Sequence, residues 1–193
     1  MKSPTKCGTK PTTVAGMSGF VVAAHLTDGV WHLRVVQRSV PEGLAPLISE
    51  LRAMRAEGVL LGMVSVDDDW SVLVRPAPGG ARLLLGDSTV ALEDEDDPEV
   101  DGVRLASDIL DELGVDAPSD EEIEDADDPD APWPEGDFGI LADLGVGEQS
   151  LSVLFDDPDI YASRQLLTIA EELGFGDELA DLYDGELSEF TDD

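Results

Sequence analysis

The uneven charge along the chain restricts how its second half can fold. Residues 1–87 contain nine Lys or Arg and eight Asp or Glu, a net charge of +1. Residues 88–193 contain two Arg and 36 acids, a net charge of −34, and the two values sum to −33. Runs of like charge usually form solvated faces or loops, so much of the second half must lie in water. Hydrophobic residues still make up 42% of the 193, enough for one domain-sized core.

The net charge also limits the partners. A strongly negative surface repels phosphate backbones, so we expect no direct binding of nucleic acid. Such a surface attracts cations, basic proteins or a basic patch on one particular partner. The alternative is that the acids only keep the protein soluble and supply loops.

A single cysteine, Cys7, excludes an internal disulfide, and a zinc site needs more Cys and His than the chain contains. No apolar run approaches the roughly 18 residues of a transmembrane helix, and residues 1–16 lack the hydrophobic stretch of a secretory signal. We therefore expect a cytoplasmic protein without a membrane segment. All three lysines lie within residues 1–16, which makes Met17 a candidate for the natural start.

The pattern over residues 18–114 predicts an α+β domain. Apolar runs at 20–26 and 30–36 flank Asp28-Gly29, a strong hairpin signal because both turn residues must tolerate positive φ. A helix, three strands and a second helix follow at 44–54, 59–66, 70–74, 81–85 and 103–113. The order ββαβββα predicts an antiparallel five-stranded sheet that carries helices across its faces, as in profilin-like and longin-like folds.

The rest of the chain reads as loops and helices. The acidic run 93–99 is expected to be a loop, and residues 115–137 an acidic, proline-bearing linker. Residues 138–184 return to helical spacing, and so short a helical segment is expected to dock on the sheet or on a partner. Residues 1–17 are expected to form a disordered tail and residues 185–193 an acidic tail.

Residues able to support catalysis or bind metal are scarce. His25 and His32 are the only imidazoles. If each strand simply reflects across the turn, their odd separation predicts opposite faces of the hairpin, unlike a pair of metal ligands; a different hairpin register is the alternative. The acids of 97–108 alternate before a glycine, but Pro98 and an Asp at the twelfth position depart from the calcium loop of an EF-hand. No Gly-rich phosphate loop, G-x-S-x-G or H-E-x-x-H motif occurs. We expect no enzyme activity and no cofactor.

Trp133, between two prolines in the acidic linker, is a candidate partner-binding residue together with Phe138. A large aromatic in an extended segment can anchor in a partner groove while neighbouring acids steer it towards a basic surface. Alternatively, both aromatic rings fold back and cover the sheet, since buried aromatics dominate cores.

Several short motifs resemble the bacterial tRNA adenosine deaminase-associated protein family over about residues 18–184. They are the Asp-Gly-Val-Trp of residues 28–31, the Asp-Asp-Asp-Trp of 67–70, and the segments 136–145 and 170–179. The resemblance implies association with the zinc enzyme that converts adenosine to inosine in a tRNA anticodon. The chain is not expected to be that enzyme, whose chemistry needs H-x-E and P-C-x-x-C. Neither histidine begins H-x-E here, and a second cysteine is lacking.

Three functions remain open. The first is an accessory protein whose acidic half binds a basic partner, either tRNA adenosine deaminase or another basic protein. The second is a generic profilin-like or longin-like interaction module, either monomeric or dimeric, with an unrelated partner. The third is an enzyme of unrecognised type that uses carboxylates, which a compact pocket gathering acids from residues 28–87 would favour.

Overall fold

A computed structural model describes residues 19–95, 100–128 and 131–185. The predicted tail at 1–17 lies outside the described residues, as do residues 96–99 of the acidic loop and nearly all of the tail at 185–193. The domain boundaries drawn from the sequence stay a prediction.

The described residues form six strands and six α-helices. The strands are β1 (Gly19–Thr27), β2 (Val30–Gln37), β3 (Val59–Val66), β4 (Trp70–Ala77), β5 (Gly80–Leu85) and β6 (Glu135–Gly136). The helices are α1 (Leu44–Ala53), α2 (Val103–Leu113), α3 (Asp120–Glu124), α4 (Glu148–Phe155), α5 (Ala162–Leu173) and α6 (Gly176–Asp184). None of these helices is long and apolar enough to cross a membrane.

All six strands belong to one antiparallel sheet in the order β2-β1-β3-β4-β5-β6. The order of elements as far as α2 confirms the predicted ββαβββα, but the prediction of five strands is wrong. The sixth strand, β6, is two residues long and pairs with the end of β5. Two residues inside an acidic, proline-bearing segment carry no strand periodicity, so the sequence pattern missed them. The likeness to profilin-like or longin-like folds stays a prediction.

Two tight turns use aspartates in the left-handed region of φ. In the β1–β2 hairpin, Asp28 has φ 52° and Gly29 has φ 79°, which confirms the predicted Asp-Gly turn. In the turn between β3 and β4, Asp67 and Asp68 have φ 49° and 61°. Asp tolerates this region better than most residues because its short side chain hydrogen-bonds locally.

The central strands bury both of their faces. Val64 and Val72 belong to a core with α1 and α2 on one side of the sheet, whereas Met63 and Leu73 face a second core on the other side. That second core is completed by the C-terminal helices α4, α5 and α6, through residues such as Phe155. The molecule therefore has three layers, with helices on both sides of the sheet. The helices of residues 138–184, expected to dock on the sheet or on a partner, dock on the sheet.

A carboxylate of α2 links this helix to the start of α1. α1 starts after Gly43, which has no side chain to cap the helix. Asp108 of α2 accepts a hydrogen bond from the backbone N of Leu44 at 3.0 Å. Asp108, the twelfth position of the segment 97–108, therefore caps a helix N-terminus, where negative charge is favoured.

We expect Gly102→Ala to lower the free energy of unfolding by about 2 kcal/mol or more, because two costs combine. Gly102 has φ +83°, and a Cβ there would lie 2.5 Å from Cζ2 of Trp70. Gly114→Ala is the matched control, since its φ is +70° but nothing lies within 4 Å of its Cβ position, so it should cost only about 1 kcal/mol. Urea denaturation of both variants measures the difference; equal losses would exclude a packing role for Gly102.

Candidate interaction surface

The C-terminal layer, residues 137–184, is attached to the sheet by two cross-strand arginines. Arg75 of β4 and Arg82 of β5 are direct partners in the sheet. Arg82 donates to the Asp137 carboxylate at 2.6 Å and to the Gly139 carbonyl at 2.7 Å. A planar guanidinium with several donors suits such simultaneous contacts.

Arg75 holds the same segment, and we call this pair, Arg75 and Arg82, the arginine clamp. Its guanidinium donates to both oxygens of Asp143, one of them at 2.9 Å, and also to the Ile140 carbonyl. The hydrogen bonds from Arg75 lower the pKa of Asp143 below its usual value. The two arginines thereby hold the segment 137–143, most of a motif singled out from the sequence, together with its apolar side chains Ile140 and Leu141, which are fully buried in the second core.

The turn between β3 and β4 holds the start of α5. Tyr161, the residue before α5, makes no side-chain capping bond. Instead, Asp68 accepts the backbone N–H of Ser163 at 2.6 Å through its carboxylate, and that of Ala162 at 3.0 Å through its carbonyl. An acid from a distant turn thus satisfies two unpaired donors at the positive end of the helix.

The neighbouring acid Asp67 lies in a less favourable setting. Burial, with the nearby charges of Asp101 and Asp69, raises the pKa of Asp67. The hydroxyl of Tyr183 is also buried, and it has no hydrogen-bond partner in the described structure. Burial and the charge of Asp68 raise the pKa of Tyr183, so its ring stays neutral and packs edge-on against Phe20 at 5.3 Å.

Buried contacts tie the three helices together beneath the surface. Ser71 of β4 donates to Gln165 of α5 at 2.8 Å, and Gln165 in turn donates to the Leu154 carbonyl at the end of α4. Trp31 of β2 donates to the Leu173 carbonyl at 3.0 Å, and its ring lies 4.8 Å from that of Phe175. The inner side of the layer is therefore fixed to β1, β2 and β4 at several points.

The outer side of the layer has a groove between α4 and α5 with a volume of about 490 Å³. Its apolar lining comprises the buried Val146, Leu151 and Ile169 and the more exposed Val153, Leu154 and Ile160, and Gln149, Ser150 and Thr168 are neutral polar residues of the same lining. Asp157 and Glu172 supply negative charge at the same groove. Val153, at 66%, is the most exposed large apolar side chain of the described residues.

The comparison with known proteins agrees with the motifs of the sequence. Residues 19–176 match the family described as Rv3753c-like tRNA adenosine deaminase-associated protein. The chain belongs to this family. It is 41% identical to Protein Rv3753c of Mycobacterium tuberculosis over 167 residues, which are 86% of this chain and 88% of that protein. No solved structure matches the chain.

The match to the Rv3753c-like family confirms the resemblance predicted from the sequence. Its span contains the whole sheet, the arginine clamp, the Asp68 cap and the groove between α4 and α5. The groove and the contacts that position α4 and α5 therefore lie within the matched residues, whereas nearly all of α6 lies beyond them.

The structure places the two candidate aromatic residues of this family member differently. Phe138 is half-buried and packs against the core of the C-terminal layer. Trp133 is also half-buried but joins neither core of the described residues; its backbone is held by Asp87, at 3.3 Å, and Ser88, at 2.9 Å. A partner-binding role for either residue stays a prediction.

The prediction that His25 and His32 point to opposite faces is wrong. They are direct cross-strand partners, and their rings stack with centroids 5.0 Å apart. Odd separation implies opposite faces along one strand, but across a two-residue turn it places residues opposite each other on the same face. Among the described residues, no group of three or more His, Cys, Asp or Glu side chains is arranged to hold a metal ion.

The strongest links of this surface escaped sequence reasoning. Arg75 and Asp143 are 68 residues apart, and Asp68 and Ser163 are 95 apart. The sequence offers only a weak signal for these links. It shows an arginine in each of two neighbouring strands, Arg75 and Arg82, but not which acids of the later segment lie beside them.

We expect Asp143→Asn to lower the free energy of unfolding at about pH 7 by at most about 1 kcal/mol, because the side chain of Asp143 is 53% exposed and solvent screens the pair. The folded pKa of Asp143 is lowered, so its contribution is present above the unfolded pKa and is lost as the pH falls through the folded one. The difference between the wild type and the variant should therefore vanish in acid.

Asp111→Asn, at an exposed acid of α2, is the matched control for the general relief of negative charge. Urea denaturation across the acid range provides the measurement. A loss in Asp143→Asn that persists unchanged in acid would rule out the ion pair as its cause.

Proposed function

We propose that this protein is a non-catalytic, cytoplasmic accessory protein that binds a basic surface of tRNA adenosine deaminase through its C-terminal layer. The family description supports the partner class. The absence of H-x-E and of a second cysteine from the sequence supports the accessory role, since that deaminase chemistry requires them.

The charge of the C-terminal layer is the observation that carries the proposal. Residues 137–184 contain 12 acids and one base, a net charge of −11. The base, Arg164, lies 3.7 Å from Glu171, so its charge is already matched. An enzyme that binds tRNA needs a cationic surface, and an acidic layer is complementary to such a surface. The same charge disfavours direct binding of tRNA by this chain.

A carboxylate enzyme is the alternative that the structure supports less. A depression of about 120 Å³ is lined by Asp69, Asp87 and Asp157, so it gathers only two of the acids of residues 28–87. Asp87 is also occupied: its carboxylate accepts hydrogen bonds from Thr89 and from the backbone of Trp133. We assign this depression a structural role, because Asp87 already fixes the backbone of Thr89 and Trp133.

A binding assay with purified tRNA adenosine deaminase from the same genome tests the proposal. We expect affinity to fall at least tenfold between about 50 mM and about 500 mM salt, because the association is electrostatic. The double variant Asp159→Lys/Glu172→Lys, at two exposed acids of the C-terminal layer, should weaken binding at low salt by a similar factor.

Glu42→Lys/Glu50→Lys is the matched control, since it makes the same change of net charge at two exposed acids. Glu50 lies on α1 and Glu42 just before it, on the opposite side of the sheet. It should bind almost as the wild type does. Lack of binding at low salt would remove the deaminase as partner. Equal losses in the two double variants would mean that net charge alone, not the C-terminal layer, governs the association.

A further inference from the structure

We propose that the groove between α4 and α5 receives an amphipathic helical segment of a partner, with apolar side chains seated in the groove and Arg or Lys beside them. The positive charge of this partner rests on the proposed function. The groove as the binding site and the apolar side chains of the partner go beyond it.

The apolar wall supplies the first argument. Val153 projects from α4 with two thirds of its surface exposed, and Leu154 and Ile160 are half-buried beside it. Most of the apolar side chains of this layer are buried against the sheet, so this group is a local departure from the pattern. Apolar surface grouped at a concave site marks binding more often than scattered exposure does.

The charge around the groove selects the occupant. Asp157 and Glu172 line it and supply two negative charges. A second copy of this chain would bring the same charge to the interface, and an acidic peptide or a nucleic acid would be repelled. A segment that combines apolar and cationic side chains satisfies both features of the groove.

The shape of the groove suits a helix that inserts several side chains. Its volume of about 490 Å³ lies within the range of sites that bury a ligand. A groove between two helices is the surface on which amphipathic helices commonly dock, through anchors spaced three or four residues apart.

The groove is also held in place before any partner arrives. Ile169 in its wall and Phe155 behind it are fully buried in the core. Gln165 connects α5 with the end of α4, and Asp68 caps the N-terminus of α5. Little ordering is needed on binding, which favours affinity.

The test uses Val153→Glu in the full chain, with Val30→Glu as matched control. Val30, at the tip of the first hairpin, is 57% exposed, close to the 66% of Val153, so both variants add one negative charge at an exposed valine. Two probes are titrated: purified tRNA adenosine deaminase, and a synthetic helical peptide of Leu and Lys in amphipathic order. The same peptide with Glu in place of Lys is the control probe.

We expect Val153→Glu to weaken binding of the deaminase and of the Leu–Lys peptide at least tenfold, although it adds a charge that would attract a basic partner. Val30→Glu should stay within twofold of the wild type. Changes in backbone amide NMR signals on adding the Leu–Lys peptide should concentrate in α4 and α5. The Leu–Glu peptide should not bind. Val153→Ser, a smaller change, should give an intermediate loss, and thermal melting of each variant checks that it is folded.

The outcomes separate the two proposals. If the deaminase binds but Val153→Glu behaves like Val30→Glu, the groove is overturned and the proposed function stands. If the deaminase fails to bind but the Leu–Lys peptide binds with the expected loss in Val153→Glu, the named partner is wrong and the groove stands. Binding of the Leu–Lys peptide elsewhere, equal binding of the Leu–Glu peptide, or no binding of either probe would overturn the groove.

Discussion

Burial of both faces of the central strands is the constraint on which the rest of the structure depends. β3 and β4 carry apolar side chains on both sides, so one helical layer would leave one face of the sheet in water. α1 and α2 cover the first face. The second face is covered by helices from the half of the chain whose net charge is −34. The acidic half is therefore part of the fold: its helices bury their apolar sides against the sheet and expose their acids.

The polar contacts between the layers follow from this arrangement. The sheet supplies Arg75 and Arg82, which pair with Asp143 and Asp137, while acids farther from the sheet remain in water. The sheet also supplies an acid, Asp68, where the positive end of α5 requires one. Each of these contacts sets the position of a segment more than it adds stability, because exposed ion pairs contribute little.

The two sides of the C-terminal layer thus have different chemistry. The inner side is apolar and hydrogen-bonded to the sheet, which makes the layer rigid. The outer side combines dense negative charge with a groove that leaves Val153 exposed. The family to which the chain belongs is described as tRNA adenosine deaminase-associated, which supports the proposal of that enzyme as the partner. A rigid, acidic and partly apolar surface is suited to recognise a partner with a basic, amphipathic surface.

The sequence by itself determined the parts that depend on neighbouring residues: the Asp28-Gly29 turn, the helices α1 and α2, and the order of the first five strands. Periodicity and turn chemistry act over a few residues, so a single sequence displays them. Short sequence motifs also indicated the family to which the chain belongs. Only the tertiary structure decided the short strand β6, the shared face of His25 and His32, the arginine clamp and the groove. These features arise from register and from the stacking of layers, which bring together residues up to 95 positions apart, and no local pattern records such distances.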